Sequence, residues 1–359
     1  MPVFAVETPQ RTYNALVERD LLSRVHDFVP SSAGKVFIVT TQDVWQLYGE
    51  RIARSLADRA PHVLFFPGGE GRKRMSEVEA LADQMIELGG DRSSMVIAMG
   101  GGIVNDLGGF LAAIFMRGIP VLQIPTTLLS QVDAAVGGKT GANLLSGKNL
   151  IGAFHQPLAV LIDPDVLETL PEREYRAGLY EIVKCGVIRS SELFRVLSEQ
   201  SDKVLRHDRE TVDFIISESV RIKAEVVTAD EREGDLRRIL NFGHTIGHAL
   251  EADTGYTHYL HGEAVAFGMK AAARLAGLLG MLPEKDVRKI LDTVDLYGPI
   301  PDLPATVLAE NLLRRTASDK KTIKGSVHYV LPDSIGTVKI RSGIPDEVVL
   351  EAIKATMNS

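Results

Sequence analysis

Residues 94–109 read Ser94-Met-Val-Ile-Ala-Met-Gly100-Gly101-Gly102-Ile-Val-Asn-Asp106-Leu-Gly-Gly109, an apolar run that meets three glycines and continues with helical spacing. The run predicts a buried strand over 95–99. The glycines predict a turn where backbone can approach a ligand closely, and the start of the following helix favours an anion. A nucleotide pyrophosphate is the natural guest. The stretch is not the Gly-x-Gly-x-x-Gly fingerprint, and no acidic residue stands at the usual distance beyond it. Read alone, it also fits a tight strand-to-helix turn.

Working outward, apolar runs at 36–40, 62–66, 121–124 and 160–162 predict further strands, with helices over 44–59 and 76–88 between them. Runs unbroken by polar residues, alternating with helices, imply a parallel sheet covered on both faces. Ligand-binding residue types gather where strands end: Gly68-Gly-Glu70-Gly-Arg-Lys73, then Pro125-Thr126-Thr127. Next come Asp133-Ala-Ala-Val-Gly-Gly-Lys139-Thr-Gly-Ala-Asn143 and Gly147-Lys148-Asn149, where two lysines among glycines suit a phosphate or carboxylate. A flexible surface loop is the competing reading of this last stretch.

Asp163-Pro-Asp165 and Leu170-Pro-Glu-Arg form the expected hinge, giving domains 1–165 and 166–359. Beyond it the apolar spacing follows threes and fours, with helices expected over 174–188, 190–200, 208–229, 236–253, 262–280, 284–297, 304–317 and 345–357. A short β-like pair, 327–331 and 337–340, precedes the last of these.

The second half carries Ile239-Leu-Asn-Phe-Gly-His-Thr-Ile-Gly-His-Ala-Leu-Glu251, followed by His258, His261, Gly262 and Glu263, so four of the nine histidines cluster here. His244 and His248 are four apart and share one face of a helix, which can present two imidazoles to one cation; His261 can supply a third nitrogen. The competing reading is helical histidines paired with carboxylates. An oxygen ligand must come from elsewhere. Glu181, set among apolar neighbours with Lys184 three residues on, is the candidate, although an i,i+3 surface ion pair would look the same. Lys223, Glu233 and Arg237 lie upstream of the cluster, and Asp319-Lys320-Lys321 follows it. Taken singly, each is read as a surface charge.

Composition narrows the classes. A length of 359 residues suits two domains, and a formal charge of −7 argues against nucleic-acid and membrane-surface partners. The single cysteine, Cys185, excludes an intrachain disulfide and a cysteine-based zinc site. No basic-then-apolar leader and no run of membrane-spanning length are seen, so a cytoplasmic protein is expected.

Jointly, the segments 100–106, 125–127, 137–139, 147–149, 181–184 and 241–248 resemble the 3-dehydroquinate synthase family of the shikimate pathway, within the sugar-phosphate cyclases. Arg117-Gly118, Val132-Asp133, Lys223-Ala-Glu-Val-Val, Asp230-Glu-Arg-Glu233 and His261-Gly-Glu263 extend the likeness. The resemblance implies an N-terminal Rossmann-like α/β domain with a parallel sheet, an all-α C-terminal domain and an active site in the cleft between them. It implies NAD+ and one zinc or cobalt ion, the metal held by Glu181, His244 and His261, with His248 beside it for proton transfer or substrate binding. That ligand set replaces the two-histidine pair suggested by helical spacing.

The same resemblance assigns NAD to Gly68, Glu70, Lys73, Gly100, Gly101, Gly102, Asp106, Thr126, Thr127, Lys139, Lys148 and Thr169. It assigns the substrate to Asp133, Lys139, Asn149, Lys184, Lys223, Arg237, Asn241, His248 and Lys321, with Arg117 reaching in from the other subunit of a homodimer. Catalytic roles fall to His248, Glu233, Lys184, Lys139 and Asp133. The implied reaction is that of a carbon–oxygen lyase acting on a phosphate. Transient oxidation of 3-deoxy-D-arabino-heptulosonate 7-phosphate permits β-elimination of phosphate; re-reduction and aldol closure then give 3-dehydroquinate. The alternatives are a sister sugar-phosphate cyclase and a metal-dependent polyol dehydrogenase; convergent cations disfavour the second. Tyr180 and Cys185 stand where the family often has alanine and tyrosine.

Overall fold

The computed structural model describes residues 2–317 and 327–358. Two compact units form: Met1–Leu170 with Lys223–Arg232, and Pro171–Ile222 with Glu233–Ser359. The stretch from Lys223 groups with the first unit because its side chains bond there. Lys223 pairs with Asp133, Thr228 Oγ1 accepts the Glu7 N–H at 3.0 Å, and Gln156 Nε2 donates to Glu231 at 2.7 Å.

The first unit carries strands β1 (Val3–Glu7), β2 (Thr12–Val17), β3 (Val36–Thr40), β4 (His62–Phe65), β5 (Met95–Gly100), β6 (Val121–Pro125), β7 (Lys139–Leu144), β8 (Gly147–Phe154) and β9 (Ala159–Ile162). Its helices are α1 (Gln42–Ser55), α2 (Met75–Glu87) and α3 (Gly102–Ile114). A seven-stranded sheet has the order β1-β2-β9-β6-β5-β3-β4, with only β1 antiparallel to its neighbour. Side chains alternate faces along a strand, and both faces are buried. Val36, Ile38, Met95, Ile97 and Met99 pack on one side with Ile52 and Leu56, while Phe37, Val39, Val96 and Ala98 pack on the other with Leu81, Met85 and Leu107.

Departures from the sequence reading are instructive. β1 and β2 were not expected, because their alternating burial and polar residues lack the apolar run of an inner strand. The lysine-and-glycine stretch read as a ligand loop is an antiparallel hairpin, β7–β8, in which Gly141 faces Gly152. A Cβ on Gly152 would lie 2.0 Å from the Thr140 carbonyl oxygen, so the crossing needs glycine there.

The second unit is built from α4 (Glu172–Arg189), α5 (Ser191–Glu199), α6 (Ser201–Leu205), the first part of α7 (Arg209–Ala229), α8 (His244–Asp253), α9 (His261–Leu278), α10 (Glu284–Leu296), α11 (Ala309–Ala317) and α12 (Asp346–Met357). A hairpin, β10 (His328–Ser334) with β11 (Thr337–Ser342), is added, so this unit is mainly rather than wholly helical. The helix expected over 236–253 is interrupted: a 3₁₀ segment, Leu236–Asn241, ends before Gly243, whose φ of 80° is left-handed. There the backbone presses on α9, and a Cβ would sit 2.8 Å from the Val265 carbonyl oxygen. No described helix is long and apolar enough to cross a membrane.

Candidate active site

Three helices of the second unit meet where glycine removes side-chain bulk. A Cβ at Gly262 would come 1.9 Å from the Ala177 carbonyl oxygen of α4, and one at Gly268 would come 1.9 Å from the Gly243 carbonyl oxygen. Backbone-to-backbone contact of this kind fixes Glu181 on α4, His244 and His248 on α8, and His261 at the start of α9 relative to one another.

The resulting cluster has a consistent polarity. Nε2 of His244 and Nε2 of His261 each lie 3.7 Å from Glu181 Oε1, an oxygen that is buried without a hydrogen-bond donor. The opposite atoms are engaged. Lys184 Nζ bonds Glu181 Oε2, the Phe242 carbonyl faces His244 Nδ1 at 3.1 Å, and Glu251 Oε2 faces His261 Nδ1 at 3.2 Å. A carbonyl and a carboxylate only accept, so both Nδ1 atoms donate, and the Nε2 atoms are the ones that face Glu181 Oε1. Two imidazole nitrogens beside a buried carboxylate oxygen with no hydrogen-bond donor are a zinc or cobalt donor set. His248 is adjacent, with ligand nitrogens of all three histidines within 4.8 Å of one another. His258 stands apart: its Nε2 bonds the Asp302 carbonyl.

Glu181 and Lys184 are therefore no surface pair; their side chains are 1% and 2% exposed. Cys185 and Tyr180 are buried on the same helix. Burial pushes the Tyr180 phenol well up, and its hydroxyl has no hydrogen-bond partner. Upstream, Arg237 is fully buried, and Asn241 Nδ2 donates to Glu233 Oε1 at 2.7 Å. Lys321 lies outside the described residues.

In the first unit the glycine turn after β5 is tightly seated. Cβ atoms on Gly101 and Gly102 would come 3.1 Å from the Thr127 methyl and from Ala134. The Thr126 N–H donates to the Gly100 carbonyl at 2.9 Å, and the Thr127 and Ser130 hydroxyls bond each other at 2.9 Å. Lys73, 3% exposed, donates to Asp106 Oδ2 at 2.5 Å and to Asn149 Oδ1 at 2.6 Å. Asn143 Nδ2 donates to Glu70 Oε1 at 2.6 Å, tying the Gly68–Gly69 turn to the hairpin. Burial raises the Asp106 carboxyl above its usual range, with Lys73 opposing the shift.

Asp133 pairs with Lys223, and Thr169 Oγ1 bonds the Tyr48 hydroxyl. The structure separates Lys139 from Lys148, at the base and the turn end of the hairpin. Arg117 is exposed, in a run of positive φ (Met116 50°, Arg117 71°, Gly118 116°). Sequence reasoning assigned nothing to Glu251 or to Arg173, whose guanidinium bonds both oxygens of buried Glu263 at 2.7 and 2.8 Å. For Glu251 a signal was present: it lies seven residues after His244, on the same helix face.

The α/β unit followed by the helical unit is the architecture of sugar-phosphate cyclases. The chain superposes on a 2-deoxy-scyllo-inosose synthase complexed with carbaglucose-6-phosphate, NAD+ and Co2+, with a TM-score of 0.89 at 26% identity over 98% of this chain and 99% of that one. A 2-epi-5-epi-valiolone synthase from Streptomyces hygroscopicus, with NAD+ and Zn2+ bound, gives 0.88 at 29% identity over 98% of both chains. Family profiles for the 3-dehydroquinate synthase N-terminal and C-terminal domains match residues 63–177 and 178–322. A 3-dehydroquinate synthase of Solibacter usitatus is 60% identical over 99% of this chain and 100% of its own length. The chain belongs to the 3-dehydroquinate synthase family.

Proposed function

We propose that this protein converts 3-deoxy-D-arabino-heptulosonate 7-phosphate to 3-dehydroquinate and phosphate, using NAD+ catalytically together with one zinc or cobalt ion. The observation that carries the proposal is Glu181 Oε1, buried without a donor and 3.7 Å from Nε2 of both His244 and His261. Those three residues are the proposed ligands. When bound, the metal supplies a Lewis acid for vicinal hydroxyls and NAD+ supplies a reversible hydride acceptor.

The chain's own groups do the rest by position. Lys184, by engaging Oε2 of Glu181, leaves one oxygen of that carboxylate toward the metal. Lys184, Lys223, Arg237 and Asn241 bind the carboxylate, phosphate and hydroxyls of the substrate, with Asp133, Lys139, Asn149 and Lys321 completing the set. His248 and Glu233 are the proposed proton carriers. Gly100, Gly101 and Gly102, at the N-terminus of α3, take the pyrophosphate of NAD, with Gly68, Glu70, Lys73, Asp106, Thr126, Thr127, Lys148 and Thr169 around it. The set of cations Lys184, Lys223 and Arg237 suits a phosphate and a carboxylate better than a neutral polyol, and the higher identity to a 3-dehydroquinate synthase favours that reaction over those of the sister cyclases. A cytoplasmic homodimer, with Arg117 serving the neighbouring subunit, completes the proposal; the exposure of Arg117 supports it.

The test is phosphate release from the heptulosonate phosphate with catalytic NAD+ and zinc or cobalt. Stoichiometric phosphate and dehydroquinate, no net NADH and loss of activity with chelator are expected. Turnover of another sugar phosphate instead would assign a sister reaction, and steady NADH from a simple polyol would overturn the proposal. The mass of the assembly by light scattering checks the dimer.

A further inference from the structure

The two histidines facing Glu181 are held by unlike partners. His244 is buried, and the acceptor at its Nδ1 is the carbonyl of Phe242, two residues away in the same chain segment. His261 is the first residue of α9 and its side chain is 32% exposed. The acceptor at its Nδ1 is the carboxylate of Glu251, from another helix and 4% exposed, at 3.2 Å. A carboxylate rarely stays this buried without a task or a charged partner.

We propose that Glu251 is the positioning residue of the metal centre. It keeps Nδ1 of His261 protonated, aims Nε2 at the ion and, by its charge, makes that imidazole the stronger donor of the two. The inference rests on the reading of Glu181, His244 and His261 as ligands. The outer carboxylate is supplied to the ligand that is the less buried of the two and set at a helix end. The seven-residue spacing that puts Glu251 on the histidine face of α8 brings it to His261 in the same contact that joins α8 and α9.

The test uses the full chain, stripped of metal, with Co2+ as the probe. Affinity is read by competition with a chromophoric chelator, and coordination by the d–d absorption bands. Glu251→Ala is expected to weaken Co2+ binding about 10- to 100-fold and shift the bands. Glu251→Gln keeps an acceptor oxygen without the charge, so it should fall between wild type and Glu251→Ala, with NAD+ affinity unchanged in both. If Glu251→Ala does not fold, the near-isosteric Glu251→Gln decides alone. Wild-type Co2+ affinity and spectrum in folded variants would overturn the inference and leave Glu251 as a structural partner only. Failure of the wild type to take up one Co2+ would overturn the ligand reading itself.

Discussion

The histidine cluster of the second unit and the glycine turn of the first are positioned by different means. Around the histidines, backbones touch where Gly243, Gly262 and Gly268 leave no room for a Cβ, so ligand geometry is inherited from helix packing. Around the glycine turn the positioning is a chain of side-chain bonds, from Asp106 through Lys73 and Asn149, whose N–H meets Asn143, to Glu70. Close packing passes an added methyl on to neighbouring backbone, whereas a side chain in a hydrogen-bonded chain can be replaced with less disturbance of the fold. Glycine substitutions should therefore cost more stability in the first region than in the second.

The largest effect expected is on the metal ligands. His261→Ala or Glu181→Ala should lower metal-dependent turnover by at least about a thousandfold, as removal of a Lewis acid requires, with NAD+ affinity by titration within about twofold of wild type. Retained activity in metal-depleted variants would break the ligand assignment. Glu181→Ala also removes the carboxylate that pairs with the buried Lys184 ammonium, so it should unfold more easily than His261→Ala.

Paired glycine variants sharpen the contrast next. Gly262→Ala drives a methyl into the Ala177 carbonyl and should cost about 1–3 kcal/mol or more, with Co2+ affinity falling alongside Tm. Gly101→Ala meets only the Thr127 methyl at 3.1 Å. It should keep Tm nearly intact while weakening NAD+ binding, since the added methyl stands where backbone must approach the pyrophosphate. Equal losses of Tm in the two would erase the proposed distinction.

Lys73→Met comes third. It strands the Asp106 carboxylate, at a cost of about 1–3 kcal/mol near neutral pH, tempered because that side chain is 22% exposed. Burial already raises the Asp106 pKa, so its favourable contribution is present at acid pH and lost as pH rises through the folded value. Removing Lys73 raises that value further. The Tm gap between variant and wild type should widen from acid toward neutral pH; a gap independent of pH would count against the pairing.

The smallest effect belongs to His155, which follows β8 and bonds the Ile119 carbonyl at 2.9 Å. Burial lowers its pKa below the ordinary 6.5. The unfolded chain then binds the extra proton first, so stability is complete above 6.5 and falls as pH drops toward the folded value. His155→Gln should flatten that acid-side slope in pH-dependent melts and leave Tm above neutrality little changed.

Legibility differed in the same two regions. β3, β5 and β6 were readable because each is a short apolar run, as strands buried on both faces are. The hairpin β7–β8 was not, because its glycines and lysines carry the signature of a loop, and only the opposition of Gly141 and Gly152 makes it a ladder. In the helical unit, spacing paired His244 with His248. The structure keeps those two together with His261, and the contacts among α4, α8 and α9 add Glu181 Oε1, which faces His244 and His261.

The sequence by itself determined the parallel sheet, the glycine turn at its centre, most of the helices and, through its motifs, the family. Those depend on neighbours within a few residues or on patterns of residue type, both written along the chain. Only the tertiary structure decided which atoms of the histidine cluster face one another, that Glu251 stands behind His261 and that Lys73 is shared by Asp106 and Asn149. Those depend on how closely backbones distant in sequence approach, and residue spacing along the chain carries no periodic signal of that distance.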